Sequence, residues 1–136
     1  MSLKLQLQIV ARARQLIADP KRWTVRADAR GWRGKQVDAW DTQARQFSAF
    51  GALLRAAQSD IRDRYRAERM ARAIAANIRW TQGLSVDIFE LNDHSASGTG
   101  HDKVLRAFDE YLTTGAVIPS LQPFIAEVSP IDSASP

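Results

Sequence analysis

The polar residues with the greatest capacity for chemistry lie close together in the last third of the chain. They include both histidines and two carboxylates: Asn92, Asp93, His94, His101 and Asp102. All of them except Asn92 are candidate metal ligands, because Zn²⁺, Ni²⁺ and Fe²⁺ accept imidazole and carboxylate groups. Their spacing matches no standard metal motif. A structural interpretation competes, in which Asp93 closes a turn through its own backbone and His101 and Asp102 begin a helix.

A nucleophile–base–acid set for hydrolysis is the second candidate, built from Ser48, His101 and Asp93. Such a set requires a serine hydroxyl within hydrogen-bond reach of an imidazole that a carboxylate orients. Ser48 lies among alanines in a predicted helix, where its small size explains it better as a site of close helix packing. It also lacks the strand-to-helix elbow that exposes the serine of a Gly-x-Ser-x-Gly motif. No cofactor is predicted.

An arginine-rich helix face is the third candidate, and its members are Arg62, Arg66, Arg69 and Arg72. Steps of three and four residues place these side chains on one side of a helix, where they can follow a phosphate backbone. No aromatic residue interleaves this face, as single-strand binders often show. The alternative is a solvated charged face with acidic partners in Asp60, Asp63 and Glu68.

The composition narrows the class of protein. The chain has 136 residues, a net charge of +4 and no cysteine, which excludes disulfides, thiolate nucleophiles and cysteine metal sites. Its basic pI of about 10.0 permits a nucleic-acid partner but is also typical of an arginine-rich protein without one. No apolar run reaches the roughly 18 residues that a membrane helix needs. We therefore expect a cytoplasmic protein with no signal peptide and no membrane partner.

The segment from Asp41 to Ala57 is predicted to be the central helix. On a helix, Phe47, Phe50, Leu53, Leu54 and Ala57 form a broad apolar stripe. The opposite side is mostly alanine and serine, and a helix that is apolar or small nearly all round is usually buried. Asp41 is a suitable N-cap for its first turn.

Other segments show helical spacing around this centre. The predicted helices are Leu3 to Ala18, Ile61 to Trp80, the short segment Val86 to Leu91 capped by Ser85, and Thr99 to Gly115. Pro20 and Gly83 follow two of these helices and favour their ends. The predicted fold is therefore all-α, a small bundle of about four main helices and one short one. A long irregular loop, Lys21 to Trp40, has three tryptophans that pin it to the helices or form an exposed aromatic platform.

The chain is predicted to be a single helical domain at residues 1–116 with an extended tail at 117–136. The tail contains four prolines after residue 118, together with the apolar residues Val117, Ile118, Leu121, Phe124, Ile125 and Val128. Because such a segment is too apolar for a solvated terminus, it either folds back over the bundle or reaches a second copy. We favour the second arrangement, which predicts a homodimer.

Four segments also carry a resemblance to known sequences: ARQLIADPKRWT, FSAFGALLRAA, ELND and HDKVLRAFDEYL, which span much of residues 13–112. They are similar to an uncharacterised bacterial and phage family, domain-of-unknown-function family 6197. Its Trp-Thr pair is matched by Trp23 and Thr24, and its Asn-Asp pair and histidine by Asn92, Asp93 and His101. Phe47 and Ser48 replace a tryptophan and a cysteine of the family pattern.

The resemblance implies a fold and no activity, and the missing cysteine argues against a thiol-based role. Together with the residues it favours a non-enzymatic interaction or accessory module. The alternative is a small metal-dependent or hydrolytic enzyme that uses Asp93 and His101. Nucleic-acid binding through the arginine face is the third hypothesis.

Overall fold

The computed structural model describes residues 3–83, 87–94 and 99–117, and these residues form a mostly helical fold. The helices are α1 (Leu3–Leu16), α2 (Ala49–Asp60), α3 (Arg64–Gln82), α4 (Ile88–His94) and α5 (Gly100–Val117). Three strands of two residues each are β1 (Ala29–Arg30), β2 (Gln36–Val37) and β3 (Gln46–Phe47). Four main helices and one short one confirm the predicted fold class, to which the structure adds a small sheet. None of the described helices has the length and apolarity that crossing a bilayer requires.

Helix α2 is the buried centre of this fold, as predicted. It packs against α1, α3 and α4, and Leu53 and Ala57 have no exposed surface. The apolar stripe and the alanines opposite both contribute to the core, because neighbouring helices cover both sides.

The start of α2 differs from the prediction, since the helix begins at Ala49 and not near Asp41. Ser48 is the N-cap and its Oγ accepts a hydrogen bond of 3.0 Å from the amide of Gly51. Asp41 instead closes a turn by accepting from the amide of Gln43 at 2.7 Å. Residues 46–47 are drawn into β3, which is why the helix cannot extend further toward the N-terminus.

The small sheet lies in the segment predicted to be irregular, and its strand order is β2-β1-β3 with both pairings antiparallel. Arg30 on the central strand donates to Thr24 Oγ1 at 3.0 Å and to the carbonyls of Val25 and Gly34 at 3.1 Å. This one guanidinium therefore ties the surrounding loops together. Strands of two residues cannot show a period in sequence, which explains why they were not predicted.

The loop approaches α2 at Gly51. A Cβ atom added there would lie 1.8 Å from the carbonyl oxygen of Asp28, and that oxygen accepts from the amide of Ser48 at 3.0 Å. Only glycine leaves room for this contact. Of the loop tryptophans, Trp23 and Trp40 pack against the core, whereas Trp32 is 61% exposed under the guanidinium of Arg45.

Helix α3 begins three residues later than predicted and ends two residues later, at Gln82, directly before the predicted stop at Gly83. Its N-cap is Asp63, whose carboxylate accepts from the amide of Arg66 at 3.0 Å, and Gly83 closes it in the left-handed conformation with φ of 61°. The apolar residues that recur at helical spacing along α3 are all buried, which agrees with the predicted helix: Ala67, Met70, Ala71, Ile74 and Ile78.

Helices α4 and α5 differ from the prediction at their ends. Helix α4 continues through His94, so Asn92 and Asp93 lie in its last turn and not in a loop. Helix α5 runs two residues beyond Gly115. Ser85 and the predicted tail from residue 118 onward lie outside the described residues.

Candidate functional site

The polar side chain that makes four hydrogen bonds with other described residues is that of Asn92 on α4, which is 2% exposed. Its Oδ1 accepts from Trp23 Nε1 at 2.7 Å and from the amide of Ala49 at 2.9 Å. Its Nδ2 donates to the carbonyl of Thr24 at 3.1 Å and to Asp93 Oδ1 at 2.8 Å. These four bonds use both donors and both acceptor positions of the amide. Asn92 thus joins α4 to the first turn of α2 and to the loop after α1.

The Trp23 ring is enclosed by the start of α5. Its centroid lies 5.4 Å from that of the His101 ring, and His101 Nε2 is hydrogen-bonded to the carbonyl of Ile17 at the end of α1. A carbonyl only accepts, so Nε2 carries the proton. A Cβ atom at Gly100 would lie 3.1 Å from the Trp23 ring. His101 therefore serves packing between α1 and α5 in this structure.

Asp93 holds the loop that follows Thr24. Its Oδ1 accepts from the amide of Arg26 at 2.9 Å, and Arg26 has a φ of 60°. Residues other than glycine rarely adopt this conformation, which persists where neighbouring contacts stabilise it. The carboxylate of Asp93 provides one such contact.

A cleft of about 820 Å³ opens between this loop, the start of α2 and α4. Asn92, Asp93 and the Ser48 cap lie in its wall, and the loop residues 26–28 and 35–38 supply most of the remainder. Its volume is within the range of roughly 300–1,000 Å³ that is typical of small-molecule sites. Four of its lining residues are aspartates and two are cationic: Asp28, Asp38, Asp41, Asp93, Arg26 and Lys35. The lining is thus net acidic in a protein whose net charge is +4.

The four aspartates differ in what they bind. Asp41 and Asp93 accept hydrogen bonds from backbone amides, so they stabilise turns. Within the described part of the chain, the carboxylates of Asp28 and Asp38 make neither a hydrogen bond nor a close ion pair. Two of the cleft carboxylates are therefore available to an occupant.

The pKa of Asp28 is raised above its ordinary value of 3.8. Partial loss of water around the carboxyl is the main cause, the charge of Arg72 opposes it, and nearby carboxylates add to it, in the order Glu68, Asp38 and Asp93. By surface area Asp28 is exposed to the cleft, so the desolvation is only partial.

One wall of the cleft is aromatic. The rings of Phe50 on α2 and Phe89 on α4 are 4.7 Å apart, and Phe89 is 41% exposed. The guanidinium of Arg72 lies 5.1 Å from the centre of the Phe50 ring and pairs with Glu68 at 3.2 Å. A cation stacked on this wall beside a carboxylate is thus already present in the fold.

Comparison with known sequences identifies the family. A family model described as a family of unknown function, domain-of-unknown-function family 6197, matches residues 1–112. The chain belongs to this family. No curated protein and no solved structure matches it.

The residues that carried the resemblance to family 6197 meet in space. Trp23 and Asp93 bond the side chain of Asn92, Thr24 bonds it through its carbonyl, and His101 contacts the Trp23 ring. Segments nearly 70 residues apart in sequence are therefore joined by one buried amide. In this family 6197 protein these residues support the cleft wall.

The structure does not gather the predicted metal ligands into a site. Among the residues it describes, no three histidine or carboxylate side chains are placed to hold a metal ion. His94 and Asp102 are exposed, Asp93 bonds the Arg26 amide, and His101 bonds a backbone carbonyl. Within the described part of the chain, the arrangement of these side chains does not support metal binding by this family 6197 protein.

The three residues of the predicted hydrolytic set also bond to different partners. Ser48 was placed in mid-helix, but it caps α2 and its Oγ accepts from Gly51. The imidazole of His101 is bonded to Ile17, and Asp93 is bonded to Arg26 and Asn92. None of the bonds that the described residues make joins the serine, the imidazole and the carboxylate to one another.

The four arginines of the predicted face differ in exposure and in the groups that they contact. Arg62 precedes α3 and is exposed, and Arg66 is half-buried. Arg69 lies 5.6 Å from the centre of the Tyr65 ring, so an aromatic residue does accompany this face, contrary to the prediction. Arg72 is paired with Glu68 and points its charge toward the cleft wall.

The residues that sequence reasoning missed are Asp28, Asp38 and Phe89. The two aspartates lie in the segment predicted to be irregular, and Phe89 lies in the predicted short helix from Val86 to Leu91. Their only signal in sequence is the density of aspartate among the loop residues at positions 28, 38 and 41. Aspartate is common in turns, so this density does not distinguish a binding site.

Proposed function

We propose that this protein is a non-enzymatic binding module whose ligand site is the cleft beside Asn92. The observation that carries the proposal is the pair of cleft carboxylates, Asp28 and Asp38, that have no partner among the described residues. Neighbouring aspartates in the same wall, Asp41 and Asp93, have structural bonds. A carboxylate that adds repulsion without such a bond is best explained by a ligand.

The ligand of this proposal is a small cation. The pKa of Asp28 is raised by partial desolvation and, against the opposing charge of Arg72, by negative charge from α3, α4 and the loop. A bound cation would offset the repulsion among these carboxylates. Arg26 and Lys35 at the rim also allow the ligand to carry an acceptor group. The exposed face of Phe89 supplies an apolar surface for the remainder.

The enzymatic alternative that uses Asp93 and His101 has less support. Both groups are bonded to backbone atoms of the loop and of α1, and Ser48 is occupied as a helix cap. An activated nucleophile needs a base within hydrogen-bond reach, and the bonds of these residues supply none.

The test of the binding function is a thermal-shift screen of the full chain. Its panel contains small cationic, neutral and anionic compounds of matched size. We expect cationic members to raise the melting temperature of the wild type and to have little effect on the double variant Asp28→Asn/Asp38→Asn. Glu110→Gln is the control, because Glu110 is an exposed carboxylate outside the cleft. Equal responses of the wild type and the double variant would contradict the proposal.

A homodimer and a cytoplasmic location are further parts of this proposal. The dimer is supported by the apolar character of residues 117–128 in sequence and by Trp80 near the end of α3, which is 78% exposed. The location is supported by the absence of cysteine from the chain. Imaging of a tagged protein tests the location, and the dimer is taken up in the Discussion.

A further inference from the structure

We infer that the cation recognised by the cleft is a guanidinium group, stacked on Phe89 and paired with the carboxylates of Asp28 and Asp38. This inference rests on the proposed binding function and specifies the chemistry of its ligand. A guanidinium is planar, weakly hydrated and able to bond a carboxylate through two parallel N–H groups, whereas an ammonium is a compact and strongly hydrated charge. The wall of the cleft decides between them.

The aromatic wall favours the planar cation. Phe50 and Phe89 form a tilted pair with centroids 4.7 Å apart, and the chain's own Arg72 already lies over Phe50 at 5.1 Å. Phe89 is 41% exposed and lines the cleft, so part of its aromatic surface is open to an occupant. An apolar wall cannot replace the water around an ammonium, but it can stack against a guanidinium.

The carboxylates beside this wall complete the site. A comparable arrangement surrounds Arg72. Its guanidinium lies over the Phe50 ring and pairs with the carboxylate of Glu68 at 3.2 Å. On the cleft side, Phe89 shares the lining with Asp28 and Asp38, which have no partner in the described part of the chain. The cleft therefore contains the two kinds of group, an aromatic ring and a carboxylate, that bind the guanidinium of Arg72 elsewhere in the fold.

The buried cap at Ser48 adds a point of contact for the rest of the ligand. Ser48 is 6% exposed and lines the cleft. Its Oγ accepts from the amide of Gly51, and none of the bonds that it makes with described residues uses the hydroxyl proton. An oxygen acceptor on the ligand can accept a hydrogen bond from that hydroxyl.

Two sources can supply the guanidinium. It belongs either to a free small molecule or to an arginine side chain presented by another protein.

The inference is tested by amide NMR titration of the isotope-labelled full chain. Agmatine carries a guanidinium, and 1,5-diaminopentane is a diamine of similar length and charge. We expect both to shift the resonances of residues 26–28 and 35–38, with agmatine binding about tenfold more tightly. Phe89→Leu should remove most of this preference, because it should weaken agmatine binding more than diamine binding. Trp80→Leu is the control, because Trp80 is an exposed aromatic residue outside the cleft.

The outcomes separate the inference from the function on which it rests. Equal affinity of the cleft for agmatine and the diamine would overturn the guanidinium assignment and leave a cation-binding function intact. If neither cation shifts the cleft resonances, both proposals fail. A third titration with the peptide acetyl-Gly-Arg-Gly-amide distinguishes the two sources. Binding tighter than that of agmatine supports an arginine of a protein partner, and weaker binding supports a free small molecule.

Discussion

The side-chain oxygen of Asn92 accepts a hydrogen bond of 2.7 Å from the indole nitrogen of Trp23, although 69 residues separate them in sequence. The same oxygen accepts from the amide of Ala49 at the start of α2. Because Asn92 is almost fully buried, water competes little for these hydrogen bonds. This amide therefore determines how three segments meet at the cleft.

Truncation of this amide should be strongly destabilising. Asn92→Ala leaves the Trp23 indole, the Ala49 amide and the Thr24 carbonyl without their partner, and each buried group left unpaired costs about 1–3 kcal/mol. We expect the free energy of unfolding to fall by at least about 3 kcal/mol in chemical denaturation. His94→Ala is the control, since His94 is exposed in the same turn of α4, and it should change stability by less than about 0.5 kcal/mol. Similar losses for both variants would show that the network is not what stabilises this junction.

Replacement of a buried polar side chain on α1 should stabilise the protein. Gln6 has no exposed surface, its Nε2 contacts Met70 Sδ, and its Oε1 has no hydrogen-bond partner among the described residues. Gln6→Met preserves the length of the side chain and removes the unpaired oxygen. We expect the free energy of unfolding to rise by about 1–2 kcal/mol. The same change at the exposed Gln8 is the control, and a loss of stability at Gln6 would contradict the expectation.

Neutralisation of Asp28 should have opposite effects on stability and on binding. Its folded-state pKa is raised, so the protonated form stabilises the fold below the ordinary value of 3.8 and this contribution is lost as the pH rises through the raised pKa. At neutral pH, Asp28→Asn should therefore be at least as stable as the wild type while losing affinity for cations. The stability advantage of the variant should grow as the pH rises from about 4 to about 7 in denaturation experiments. A variant that is less stable than the wild type at neutral pH would show that the carboxylate has a stabilising partner.

The arginine face should bind nucleic acid weakly or not at all. Arg72 is paired with Glu68 and Arg69 lies over Tyr65, which reduces the number of guanidinium groups available to phosphates. If the face does bind, the affinity for labelled DNA or RNA must fall steeply between two salt concentrations, because each neutralised phosphate releases counterions. The variant Arg62→Gln/Arg66→Gln should then flatten that dependence. Tight binding that is insensitive to salt would contradict this description of the surface.

The proposed homodimer predicts a mass twice that of the 15.2 kDa chain. Light scattering on the full chain should show this mass at micromolar concentrations, and truncation after Val117 should yield a monomer, because the apolar segment from 118 onward would mediate contact between copies. A dimer that survives truncation would place the interface on the helices. A monomeric full-length chain at every concentration would reject the dimer.

The sequence by itself determined the helices. The stripes of α1, α3 and α5 recur every three to four residues, and this local period is enough to predict which side faces the core. Gly83 also predicts the end of α3. A glycine that adopts the left-handed conformation after the last turn ends a helix locally, without help from distant residues. These features depend on interactions between residues a few positions apart, which a single sequence records directly.

Only the tertiary structure decided where α2 begins and where the cleft lies. Asp41 and Ser48 are both suitable N-caps, and the pairing of β3 with β1, a contact distant in sequence, selects Ser48. The cleft likewise combines Asp28 and Asp38 from a loop without a period and Phe89 from α4. Their proximity depends on the bonds of Asn92 with segments far away in the chain. No local pattern encodes such contacts, because they arise from packing.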